Sequence, residues 1–302
     1  MSILGYFRFS PIEIIYRYLD GDEFKKISLS EINNLANPDT VYSLQFHSCE
    51  FSEVISKLNF EKFSNVQVIN FENVNFGNLG NYTFFEKLKN IKKLSFINSD
   101  IKYLNNFIET NNIDLEYLKL DKCINLDLIN INRLNNLTEL HVINNTKLTS
   151  INELDKCIKL KLLNLRNNSI VNIDGLDKLI ELESLDLGQN NISDISTIKS
   201  LNKLKYLYVD NNKIKELWTQ PLINLKYFIA TSNQIEKLKV LESSPELEVI
   251  EIKYNNVKHL PNLSKMTNIN YNRLEVDWMN IIDIEGLKAF SLLKCIIINL
   301  KK

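Results

Sequence analysis

From Leu160 onward the apolar residues fall at fixed offsets: Leu160, Leu163, Leu165, Asn168 and Ile170, then Leu182, Leu185, Leu187, Asn190 and Ile192, then Leu204, Leu207, Val209, Asn212 and Ile214. Two further copies read Leu225, Phe228, Ala230, Asn233, Ile235 and Leu247, Ile250, Ile252, Asn255, Val257, with Ala230 the one weak core position. Toward the N-terminus the pattern runs on as Leu137, Leu140, Val142, Asn145 and Leu115, Leu118, Leu120, Cys123. It then loosens to Ile91, Leu94, Phe96, Ser99, to Val66, Ile69, Phe71, Val74, and to Val41, Leu44, Phe46, Cys49, as the period lengthens from about 22 to 25 residues.

Alternating apolar residues put one face of a short strand into a core and the other toward solvent. A single such unit cannot bury its apolar edge, so its stability comes from stacking on its neighbours, which joins the strands into one parallel sheet. The asparagines at 145, 168, 190, 212, 233 and 255 follow each strand, where an inward amide pairs backbone groups that burial would otherwise orphan. Cys49 and Cys123 occupy the same slot and read as buried repeat residues. Eleven residues separate Ile170 from Leu182, too few for a long helix with two turns, so short 3₁₀ or extended segments are expected there. The helical spacing of Phe84, Phe85, Leu88 and Ile91, and of Leu104, Phe107 and Ile108, predicts short helices in the earlier repeats.

This pattern resembles the leucine-rich-repeat family over roughly Val41 to Leu263, and its 22-residue repeats are similar to those of internalins and of the repeat-built phosphatase regulatory subunit. The resemblance implies an α/β solenoid: a leucine-rich-repeat horseshoe with a parallel concave β-sheet and short 3₁₀ or α segments on the convex side. The expected organisation is an N-terminal cap over 1–40, about ten repeats over 41–263 and a C-terminal cap over 264–302, all one continuous domain. The first flank carries an amphipathic stretch of Ile12, Ile14, Ile15, Tyr18 and Leu19; the second holds Trp278, Ile281, Ile282, Leu287, Phe290, Leu293 and Ile296. A partner-docking helix is the alternative for the second flank.

The outward positions of the last clear repeats are the candidate site. They are Tyr206, Tyr208, Tyr227, Ile229, Val249 and Tyr254, with Asp186, Asp210, Glu251 and Lys253 around them. Tyrosine combines contact area with a polar tip, which suits a protein interface. It is also a good strand former, so tyrosines stacked between adjacent strands with no ligand are the competing reading. Tyr117, Lys119, His141, Ile143, Leu162, Asn164 and Arg166 form a second outward group, read as solvated surface.

Composition narrows the function. Thirty-six basic residues oppose thirty-seven acidic ones, and outward lysines alternate with acids, so no basic stripe for nucleic acid forms. Three histidines lie on separate repeats, and only seven glycines occur in the chain, leaving no phosphate-cradling loop and no nucleophile motif. Four cysteines are scattered without CxxC spacing, which fits a reducing compartment and neither a disulfide framework nor a zinc site. Neither a signal peptide nor a membrane span is read.

The expectation is a cytoplasmic, non-enzymatic protein–protein interaction module, monomeric when unbound, without cofactor, metal, nucleic acid or membrane. A regulatory or inhibitory subunit, an immunity protein or a pathogen effector of the same fold is the alternative, and a structural self-assembling protein a more distant one.

Overall fold

The computed structural model describes residues 13–18, 24–77, 83–101, 104, 108, 114–124, 126, 128, 130–262, 273–277, 281–282 and 295–299. Of the expected flank residues, Ile12, Leu19, Trp278, Leu287, Phe290 and Leu293 lie outside these, as does Phe107. The chain forms two compact units, 1–137 and 138–302.

In the first unit, β3 (Val41–His47), β4 (Val68–Glu72), β5 (Lys93–Ile97) and β6 (Tyr117–Asp121) pair in parallel at the predicted register, Leu44 beside Ile69 beside Leu94 beside Leu118. The core of this unit is aromatic. Phe46, Phe71 and Phe96 stack in a column with centroids 5.4 and 5.1 Å apart, and Phe51 meets Phe46 and Phe71 edge-on. Such offset and edge contacts add specificity to the large area each ring buries.

The amphipathic stretch of the first flank is strand β1 (Glu13–Tyr18), antiparallel both to β3 and to β2 (Lys25–Ser28). Helix α1 (Phe51–Lys57) bears out the expectation of short helices in the longer repeats, but the stretch around Phe85 and Leu88 winds as 3₁₀ over Thr83–Lys87. Five residues are too few to complete more than a turn of α-helix, and the tighter winding still buries Phe85 and Leu88.

The second unit holds β7 (Glu139–Ile143), β8 (Leu162–Asn164), β9 (Ser184–Asp186), β10 (Tyr206–Tyr208), β11 (Tyr227–Ile229) and β12 (Val249–Glu251), paired in parallel in that order. Between them run 3₁₀ turns such as Leu176–Lys178 and Ser196–Ser200, as the short interval predicts. Two further parallel strands, β13 (Arg273–Asp277) and β14 (Cys295–Asn299), continue the ladder within the stretch expected to be a cap. Ile250 pairs with Leu274, 24 residues on, so the period lengthens again where the repeat signature fades.

Every predicted core residue from Leu160 to Val257 is buried. The six asparagines form an internal ladder. Asn190 donates from Nδ2 to the carbonyls of Leu165 and Leu187 at 2.9 and 3.0 Å, while its Oδ1 accepts the Ile170 N–H at 3.0 Å. Asn212, Asn233 and Asn255 repeat both contacts on the preceding repeat, so each amide joins two repeats by hydrogen bonds that burial makes costly to lose. In the earlier repeats Ser99 fills this slot and accepts the Val74 N–H, and the Cys123 thiol donates to the Phe96 carbonyl.

Among the described residues no helix is long and apolar enough to cross a membrane.

Candidate functional site

Strand register in the second unit lays the outward side chains in rows across β9 to β12. One row is Ser184, Tyr206, Tyr227 and Val249, and the next is Asp186, Tyr208, Ile229 and Glu251. All eight are half-buried beside neighbours that alternate into the core. The structure therefore brings together Tyr206, Tyr208, Tyr227, Ile229, Val249, Asp186 and Glu251. The Tyr206 and Tyr227 rings lie 5.2 Å apart, tilted by 36°. Burial and the nearby Asp186 carboxylate push the Tyr208 phenol above its ordinary value, so it stays a neutral hydrogen-bonding group on this face.

Ahead of the tyrosine row lies a charge-balanced edge. Lys205 pairs with Glu183 at 2.7 Å and Lys226 with Glu248 at 3.1 Å. Beyond the Asp186 row lies a tighter network. Arg166 grips Asp210 through two parallel bonds of 2.9 and 2.6 Å and touches Asp186 at 3.3 Å. Gly188 lies beneath it: a Cβ there would stand 2.2 Å from Arg166 Nη1. Burial opposes the Asp210 charge, but the hydrogen bonds from Arg166 and Asn211 outweigh it and hold the carboxyl below its usual range. Asp186 moves the other way, raised chiefly by burial, with the Asp210 charge adding to it.

Three expectations need correcting. Asp210 is buried at 7% exposure and committed to Arg166. Tyr254 is not on the strand face: it occupies the turn after β12 with φ +57° and is 51% exposed. It shares this left-handed position with Asn144, Asn167, Gln189, Asn211 and Ser232 of the other repeats, of which the asparagines suit it better than tyrosine. Arg166, assigned from sequence to solvated surface, is the centre of the charge network. Its signal was present, since Arg166, Gly188 and Asp210 recur at the same offset of 22 residues. Lys253 pairs with Glu275, which is 2% exposed.

Of the second outward group, His141 Nε2 meets Glu139 Oε1 at 2.7 Å and Asn164 accepts the Arg166 N–H at 3.0 Å. In the first unit Lys119 lies 3.5 Å from Asp121, and Lys93 stands 6.0 Å over the Tyr117 ring. Among the described residues no group of three or more His, Cys, Asp or Glu side chains is placed to hold a metal ion.

The family model described as Leucine Rich repeats (2 copies) matches residues 158–200 and 180–224. No curated protein matches the sequence. Among solved structures, an internalin (inlF) from Listeria monocytogenes is 19% identical with a TM-score of 0.61, the match covering 92% of this chain and 91% of that one. Internalin C2 (inlC2) from the same organism is 25% identical with a TM-score of 0.51, over 56% of this chain and 74% of that one. The plant peptide hormone receptor RGFR1, solved in complex with RGF2, is 20% identical with a TM-score of 0.53, over 73% and 38% respectively. Repeats, ladder and sheet together give the chain a leucine-rich-repeat fold. Within that class it resembles the internalins in fold.

Proposed function

We propose that the outward face of β9 to β12 binds a protein partner, with Tyr206, Tyr208, Tyr227, Ile229 and Val249 at the centre of the contact and Asp186 and Glu251 at its ends. Leucine-rich-repeat folds generally serve as protein-interaction modules, and the RGFR1 structure holds RGF2. The observation that carries the reading is the half-buried aromatic and aliphatic tile bordered by ion pairs, the arrangement of an apolar interface centre within a polar rim. Asp210 and Lys253 serve as supports beside the tile and Tyr254 as an outlying contact on the turn. In this reading the protein is a cytoplasmic, monomeric binding module rather than an enzyme.

The test is capture from the native cell lysate by wild type and by the Tyr206→Ala/Tyr227→Ala variant. The reading requires a protein held by wild type and lost from the variant while both melt alike. Capture of the same protein by both would overturn it.

A further inference from the structure

The interface proposed above has an uneven charge, and this bears on the kind of chain it takes. On the side of Glu183, Lys205, Lys226 and Glu248, two cations are paired with two carboxylates, and the charges of Lys161 and Lys203 also act on Glu183. On the other side, among the described side chains, Arg166 and Lys253 face Asp186, Asp210, Glu251 and Glu275, two cations against four carboxylates. Arg166 spends both guanidinium arms on Asp210, and its touch on Asp186 shares Oδ1 with the Gly188 N–H. Asp186 lies beside Tyr208 in the same row, and its charge acts on the Tyr208 phenol.

The row geometry sets a length. Asp186, Tyr208, Ile229 and Glu251 are successive register partners on four strands. At about 4.8 Å per strand the two carboxylates stand roughly 14 Å apart, with Tyr208 and Ile229 between them. An extended chain advances about 3.3 Å per residue and shows alternate side chains on one face, so positions i and i+4 share a face and span about 13 Å. A helix at 1.5 Å per residue presents one face at steps of about 11 or 16 Å, on either side of this distance.

We propose, resting on the interface reading above, that this face takes an extended basic segment crossing the strands, with Lys or Arg at two positions four residues apart and an apolar residue midway. The two cations sit at Asp186 and Glu251, the second within reach of the tyrosine rings, and the apolar side chain covers Tyr208 and Ile229. A polyanion meets the wrong sign here.

The probe is a random nine-residue peptide display library, selected on the full chain in parallel with Glu251→Gln, Asp186→Asn/Glu251→Gln and Tyr206→Ala/Tyr227→Ala. Glu251→Gln lies outside the Arg166 network and guards against a folding defect in the double variant. Peptides enriched on wild type are expected to carry basic residues four apart, and to lose about tenfold in recovery on each acid-neutralised variant, the scale of one charge pair. Enriched peptides without basic excess, equal recovery on the acid-neutralised variants, or no enrichment at all would each overturn the proposal. The two readings separate cleanly: apolar peptides lost only on the tyrosine variant would sink the basic segment and leave the interface. Basic peptides retained on the tyrosine variant would sink the aromatic centre instead.

Discussion

Arg166 reaches Asp210 over the bare backbone of Gly188, spanning from one strand edge to the second strand beyond it with two bonds of 2.9 and 2.6 Å. A side chain at 188 and this pairing exclude one another. Gly188→Ala should therefore destabilise the protein by about 1–3 kcal/mol in urea unfolding, the usual cost of overpacking. In an Arg166→Ala background the same change should cost less, because the guanidinium is gone and only the Asp210 carboxylate, its Oδ1 2.8 Å from the added Cβ, has to give. Equal cost in both backgrounds would mean that the strain lies elsewhere than at the guanidinium.

The asparagine ladder makes a second claim. Asn212 donates to the Leu187 and Val209 carbonyls at 2.9 and 3.1 Å and accepts the Ile192 N–H at 2.9 Å. Asn212→Ala strips partners from three buried backbone groups, and a loss of roughly 2–4 kcal/mol is expected. A loss no larger than that of an exposed asparagine such as Asn202 would show that the ladder contributes little.

Ser244 takes the slot that Leu179, Leu201 and Leu222 fill in neighbouring repeats, is 1% exposed, and its Oγ has no hydrogen-bond partner among the described residues. Removing the hydroxyl should raise stability, by about 1 kcal/mol for Ser244→Ala, since a desolvated polar atom disappears at little cost in volume. A lower midpoint for the variant in thermal or urea unfolding would contradict this.

Cys49, Cys123 and Cys157 are buried or partly buried, and burial pushes each thiol from 9.0 to about 12. Thiols so raised stabilise the fold fully below their unfolded value and lose that contribution as pH climbs from about 9 toward 12. Unfolding free energy should thus fall steeply across that window, and a triple alanine variant should show a shallower slope there. Coincident slopes for the two proteins would dismiss the thiols as the cause.

Ten strands, β3 to β12, and the named core positions of the five repeats from Leu160 to Val257 were legible because a period of about 22 residues over-determines them. The asparagine slot was legible for the same reason. What escaped was either aperiodic or a matter of pairing. β13 stands 24 residues after β12, neither it nor β14 is followed by the slot asparagine, and β1 is antiparallel to its neighbours, which no repeat pattern foretells. At the site the tyrosine tile followed from alternation alone. The Arg166 network required knowing that a side chain crosses two strands, and Tyr254 that its backbone turns left-handed.

The ladder of amides also points in one direction. Asn190 serves the backbone of the repeat before it, Asn212 serves that of Asn190, and so on to Asn255. A repeat leaving the ribosome therefore still lacks polar partners supplied by a residue translated about 22 positions later. Ordering proceeds with a lag of one repeat behind synthesis, and a chain cut short ends on a unit whose backbone waits for an amide that never arrives.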